Sequence, residues 1–179
     1  MGRGPSGPLF HGSYTRAMPI RHATSEDLPA IVAIYNSSIP GRMATADTQP
    51  VTVAQREEWF RAFDPRSRPL WVMDEGGAVA GWLGVRSFYG RPAYHRTVES
   101  AVYVSPDRQR RGIARTLLAH ALAECPPLGI ANVLGFVFAH NTPSIALFEA
   151  QGFARWGLLP RVCELDGAEK DVVILGRRL

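Results

Sequence analysis

Near the middle of the chain the hydrophobic period changes once, sharply, from strand-like to helix-like. From His95 to Val104 the residues suit a strand, with Thr97, Glu99, Ala101 and Tyr103 on one face and Val98, Ser100, Val102 and Val104 on the other. After Ser105-Pro106-Asp107 the apolar residues Ile113, Leu117, Leu118, Ala121 and Leu122 recur at helical spacing as far as Cys125, where Pro126-Pro127 stops the helix. A strand leading directly into an amphipathic helix has to bury one side of each against other layers. That requirement points to a mixed α/β fold, a sheet covered by helices.

The remaining segments fit such a fold. Pro19 to Ala23 is expected to be a short strand, followed by a helix capped by Thr24 or Ser25 with Leu28, Ile31, Val32 and Tyr35 at helical spacing. Ile39 to Pro50 has no period and reads as a loop. Thr52 is expected to cap a second helix, with Val53, Trp59, Phe60 and Phe63 on its buried side. Leu70–Met73 and Ala78–Arg86, joined through Glu75-Gly76-Gly77, predict a hairpin. Asn132–Ala139 predicts a buried strand, and Thr142, followed by Pro143, a capped helix ending at Gly152. Phe153–Glu164 and Lys170–Leu175 close the chain as strands.

At 179 residues, the chain is expected to form one domain over residues 18–179, large enough to bury roughly two-thirds of its unfolded surface. Residues 1–17, rich in Gly, Pro and Ser without periodicity, read as a mobile leader or extension, with Met18 a candidate start. Two of the basic residues behind the net charge of +4, Arg3 and Arg16, lie in that leader, so the basic bias of the domain is weak. No DNA-reading motif accompanies the arginines, and nucleic acid is not expected as a partner. Nor is a membrane: apolar runs fall well short of the ~18 to 20 residues a span requires. Cys125 and Cys163 lack the spacing of a metal site, and His22, His95 and His120 read as structural, so no metal is expected. The expectation is a cytoplasmic protein.

The segment most suggestive of chemistry is the turn Arg108-Gln109-Arg110-Arg111-Gly112 before the helix beginning at Ile113. Amides at a helix start have no intrahelical acceptor, and the helix dipole adds positive potential there, so the turn suits an anionic phosphate. Gly112 would let the backbone approach closely. An ordinary strand-to-helix turn with solvated arginines fits the same residues.

Gln109-x-x-Gly112-x-Ala114 resembles the Q/R-x-x-G-x-G/A signature of the GNAT superfamily of N-acetyltransferases, in which this loop holds the pyrophosphate of acetyl-CoA. The segments IYNSSIP (34–40), RPAYHRTVESAVYVS (91–105) and NTPSIALFEAQGF (141–153) resemble phosphinothricin N-acetyltransferases. The resemblance implies the acyl-CoA N-acyltransferase fold, whose mixed sheet splays between the strand ending at Val104 and the strand beginning near Asn132 to admit the pantetheine arm. It implies acetyl-CoA as cosubstrate, a small amine as substrate and a homodimer. It further implies cofactor contacts from Val102, Tyr103 and Val104, from Gln109 together with the loop Arg110, Arg111, Gly112, Ile113 and Ala114, and from Asn141, Ser144 and Phe148. Arg91 and Tyr94 match positions lining an amino-acid pocket, although Arg91 also reads as an exposed loop charge. Glu99 matches the general base.

Glu99 suits that role because an attacking amine is cationic at neutral pH and has to lose a proton before it can attack a thioester. The alternative is that Glu99 pairs with an arginine such as Arg96 or faces solvent. One departure from the resemblance is Phe148, which stands where the resemblance implies a tyrosine or histidine acid. A coenzyme thiol with a pKa of about 8.5 can leave as thiolate without a strong acid; His140 and Tyr103 are candidates to assist, and each also reads as a packing residue. A second departure is IPGRMATADT (39–48), a pocket loop able to change specificity while the chemistry stays. The expected activity is therefore direct acetyl transfer to a small amino acid or analogue of the phosphinothricin, methionine sulfoximine or methionine sulfone type. Another amine, such as a polyamine or protein N-terminus, and a non-catalytic acyl-CoA sensor are the alternatives.

Overall fold

A computed structural model describes residues 19–179; the leader expected over 1–17 and the candidate start Met18 lie outside the described residues. The strands are β1 (Ile20–His22), β2 (Leu70–Asp74), β3 (Val79–Ser87), β4 (Thr97–Val104), β5 (Asn132–Phe138), β6 (Ala154–Leu165) and β7 (Ala168–Arg178). The helices are α1 (Leu28–Ser37), α2 (Val53–Arg61), α3 (Ile113–Glu124) and α4 (Thr142–Ala150). Their order is the one the sequence predicts, with boundaries shifted by a few residues.

The strands form one sheet in the order β1-β2-β3-β4-β5-β7-β6, antiparallel except between β4 and β5. Burial divides the molecule into two layers around it. On one face Leu83, Val98, Leu117, Leu118, Val133 and Phe148 belong to a core cluster that α3 and α4 close. On the other, Ile31 and Ile34 of α1 pack with Val72 and Trp82. Each β4 residue is directed by the strand period to one of these layers, so Glu99, Ala101 and Tyr103 share the α1 and α2 side.

Two expectations are corrected. Thr142 does not cap α4: Asn141 does, its side-chain oxygen accepting from the Ser144 amide at 3.1 Å, with Pro143 one position further into the helix than expected. Asn is at least as good an N-cap as Thr, and its amide group can also donate elsewhere. Val53 is not on a buried side of α2 but 37% exposed, and α2 has no fully buried residue. Val53 is the first residue of the helix, whereas Trp59, Phe60 and Phe63, the last beyond its end, pack partly buried against the α1-side core, where Trp59 and Phe63 also line a cavity.

Candidate active site

The β4–β5 pair is the source of the site. Parallel pairing covers only Thr97↔Asn132, Val98↔Val133 and Glu99↔Leu134, and the strands then diverge. At the point of departure the Leu134 carbonyl accepts the Ser100 hydroxyl at 3.1 Å. Backbone groups alternate sides along a strand. The Ser105 amide donates to Ala80, and the Thr97 carbonyl accepts from Phe88, so odd-numbered β4 residues direct their backbone toward β3. Val102 and Val104 therefore direct theirs into the gap, whereas the amides of Ala101 and Tyr103 face β3. Of the expected cofactor contacts Val102, Tyr103 and Val104, the two valines direct backbone donors into the gap and Tyr103 does not.

A cavity of about 220 Å³ occupies the gap, lined by Val102, Phe138, Asn141, Ser144 and Phe148 and roofed by Met43 to Ala46 of the long loop after α1. A second cavity of about 220 Å³ lies on the α1 and α2 side, lined by Tyr35, Arg56, Trp59, Trp82, Arg86 and Glu99 among others. The two share Ser100, Ala101, Tyr103 and Phe136 as a common wall. A molecule threaded through the gap would thus end next to one held beside Glu99.

Glu99 is half-buried, and desolvation raises its pKa above the ordinary carboxylate range, with Arg86 pulling weakly the other way. Arg86 is its direct cross-strand neighbour. Among the described residues no side chain hydrogen-bonds Glu99, and Arg96 instead donates to the Gly129 carbonyl at 3.3 Å. The alternative reading of Glu99 as an Arg96 partner therefore does not hold. A desolvated, unpaired carboxylate at a cavity wall is suited to taking up a cation or a proton.

Beyond β4, Gly112 caps α3 in the left-handed conformation (φ 78°), and Arg110 before it is also left-handed (φ 58°). The first bond of α3 runs from the Thr116 amide to the Gly112 carbonyl at 2.9 Å, and among the described residues no chain carbonyl accepts from the amides of Arg110 through Ala114. Those amides, at the positive end of a 12-residue helix, form a cradle of unpaired donors whose charge and direction suit an anion. A Cβ at Gly112 would meet nothing within 4 Å, so conformation rather than space requires glycine there. Gln109 and Arg110 are exposed, and Ile113 turns its side chain into the core, leaving its amide to the cradle. The arginines are less free than the sequence suggests: Arg108 and Arg111 both pair with Glu75 of the β2–β3 turn, Arg111 at 2.6 Å.

Phe148 is buried over Gly135, where an added Cβ would lie 2.7 Å from its ring, and it forms an edge-to-face pair with Phe153. It walls the gap without offering a proton. The two candidate assistants are tied to the loop: the Tyr103 hydroxyl donates to the Ala44 carbonyl at 3.1 Å, and His140 Nε2 bonds the Arg42 carbonyl at 2.9 Å. Arg91 and Tyr94 are exposed at a short helical turn and are not among the residues that line either cavity.

Sequence spacing alone missed Arg56, Arg86 and Asp47. Arg56 donates to Asp47 at 2.9 Å and lies over the Tyr35 ring, while the Tyr35 hydroxyl donates to Asp47 at 2.5 Å. Cys125 is fully buried, its thiol pushed up to about 11 by desolvation. Such a thiol is protonated at neutral pH and a poor nucleophile. We expect Cys125→Ala to keep turnover within about threefold of the parent; complete loss with the fold intact would require a covalent acyl route.

Comparison with known proteins agrees with this geometry. The profile described as "Acetyltransferase (GNAT) family" matches residues 29–153. The chain is 50% identical over 163 residues to "Putative phosphinothricin acetyltransferase YwnH" of Bacillus subtilis (strain 168), covering 90% of this chain and 99% of that protein. It is 30% identical over 157 residues to the L-methionine sulfoximine/L-methionine sulfone acetyltransferase of Pseudomonas paraeruginosa, covering 87% and 91%. The crystal structure of a phosphinothricin acetyltransferase from Sinorhizobium meliloti in complex with AcCoA superposes with a TM-score of 0.85 at 31% identity, over 90% of this chain and 88% of that one. With its sheet parted between β4 and β5 and an amide cradle at the start of α3, this chain belongs to the GNAT acetyltransferase family, enzymes that transfer an acetyl group from acetyl-CoA to an amine.

Proposed function

We propose that the protein acetylates the amino group of a small amino acid or analogue, of the phosphinothricin, methionine sulfoximine or methionine sulfone type, by direct transfer in a ternary complex. The observation that carries this reading is the common wall of the two cavities, which sets the Glu99 side beside the gap in the sheet. The names of the relatives supply the substrate class.

The residues present fit acetyl-CoA. The amides of Arg110 to Ala114 suit its pyrophosphate, and the gap-facing backbone of Val102 and Val104 suits the amide groups of its pantetheine arm. Asn141, Ser144 and Phe148 line the same gap. When bound, acetyl-CoA supplies the thioester carbon that the amine attacks. Glu99 attracts the substrate ammonium and accepts its proton, directly or through water. A gap-facing amide of β4 donates to the oxygen that becomes negative during attack. The wall at Ala101 and Tyr103 keeps amine and thioester in register, which turns a two-body encounter into a local one.

The deciding experiment mixes the protein with acetyl-CoA and a panel of amino acids, sulfone and sulfoximine analogues, polyamines and peptides, and measures free thiol and product mass. The expected outcome is thiol release with methionine sulfone or sulfoximine, and an acetyl group on the α-nitrogen of the product. Turnover of polyamines or peptides alone would reject the substrate class. Coenzyme binding with no thiol release from any amine would reject the enzymatic reading in favour of a sensor.

A further inference from the structure

The cavity beside Glu99 contains two arginines, and only one is already engaged. Arg56 is held by Asp47 at 2.9 Å and covers the rings of Tyr35 and Trp59. Arg86, on β3 directly across from Glu99, has no hydrogen-bond or ion-pair partner among the described residues, although it lines the cavity. Directly opposed strand residues share a face, with Cβ atoms about 4.5 to 5.5 Å apart. The cavity therefore presents one carboxylate and one guanidinium side by side, both reaching the same space.

We infer that Arg86 is the anchor for the substrate's α-carboxylate, which would make the site selective for α-amino acids over amines that lack an acid group. This inference rests on the amino-acid reading above and assigns a residue to it. An α-amino acid carries its ammonium and carboxylate on adjacent atoms, so the groups receiving them must themselves be neighbours of opposite charge. Glu99 and Arg86 are such a pair. With the zwitterion oriented between them, the α-nitrogen lies on the Glu99 side, toward the common wall with the gap, and the side chain is directed to the aromatic lining of Trp59, Phe63 and Trp82. A planar guanidinium can hold a carboxylate through two parallel hydrogen bonds. A polyamine offers no anion to Arg86 and meets it with like charge, which selects against that class. Arg91, the other arginine considered for this task, is exposed and outside the cavity.

The test compares wild type, Arg86→Met and Arg91→Met at pH 8 with methionine sulfone and with its decarboxylated amine. Arg86 is exposed, so its replacement is not expected to disturb the core. For Arg86→Met we expect KM for methionine sulfone to rise roughly 10- to 100-fold, the loss of one charge-assisted contact. KM for acetyl-CoA should stay within about twofold, and KM for the decarboxylated amine should stay level or fall, because Arg86 meets that cation with like charge; a rise for methionine sulfone in Arg91→Met in place of Arg86→Met overturns the assignment. An unchanged KM for methionine sulfone in Arg86→Met, or an equal rise for the decarboxylated amine, overturns the anchor while leaving the amino-acid reading in place. A wild-type enzyme that turns over only amines without a carboxylate overturns both.

Discussion

Glu99→Gln is expected to lower turnover at neutral pH by about 10²- to 10⁴-fold, the usual loss when a general base is removed. Affinity for acetyl-CoA should change little, because Glu99 lines the neighbouring cavity and not the gap. The wild-type enzyme should lose kcat/KM on the acid side with a midpoint above the ordinary glutamate value of about 4.3, since desolvation raises the Glu99 pKa. That acid limb should disappear from the residual activity of the variant. Turnover within a few-fold of wild type would remove the assignment.

The same shift has a consequence for stability, opposite to that of most carboxylates. A raised folded-state pKa means that, between the unfolded value and the folded one, the folded protein binds more protons than the unfolded chain. Stability contributed by Glu99 therefore falls as pH rises through that window, and above it the buried charge is a standing cost. Glu99→Gln should accordingly melt no lower than wild type at pH 7.5, and its advantage should shrink toward pH 4. Arg86 and solvent exposure both moderate the effect. A variant that loses activity while keeping or gaining stability is the signature of a group retained for chemistry.

Much of this was legible in the chain because it is written in local period. The strand through Glu99, the switch at Ser105-Pro106-Asp107 and the turn at Gly112 each follow from neighbouring residues, and the sequence places them where the structure does. Relations between segments were not legible. That Arg86 stands opposite Glu99 depends on the β3–β4 register, and nothing in either strand announces its partner. The pairing of Arg111 with Glu75 spans 36 residues, so the turn read as an unencumbered basic loop. The segment 39–50 has no period and could be read only as a loop, because its order comes from distant tethers. Arg42 pairs with Asp166 at 2.8 Å across 124 positions, and the carbonyls of Arg42 and Met43 accept from His140 and Asn141.

The last of those tethers yields the second large effect. Asn141 is 7% exposed and uses both ends of its amide: the oxygen caps α4 through the Ser144 amide, and the nitrogen donates to the Met43 carbonyl at 2.7 Å. Met43 begins the stretch that roofs the gap, so one side chain fixes both the helix beside the cleft and the loop above it. Asn141→Ala removes a helix cap, worth about 1 kcal/mol, and leaves a partly buried carbonyl unpaired, costing about 1 to 2 kcal/mol more. We expect a loss of about 2 to 3 kcal/mol, which lowers Tm by roughly 5 to 10 °C for a domain of this size, together with a rise of about tenfold or more in KM for acetyl-CoA. Asn141→Asp separates the two roles. Aspartate caps a helix as well as asparagine does, but its carboxylate cannot donate to Met43 and repels the carbonyl instead. Its α4 should stay capped while the loop comes loose, so cofactor KM should rise nearly as far as in the alanine variant with a smaller drop in Tm. If the aspartate variant keeps a wild-type cofactor KM, the loop does not depend on this bond; if the alanine variant melts like wild type, the side chain carries neither load.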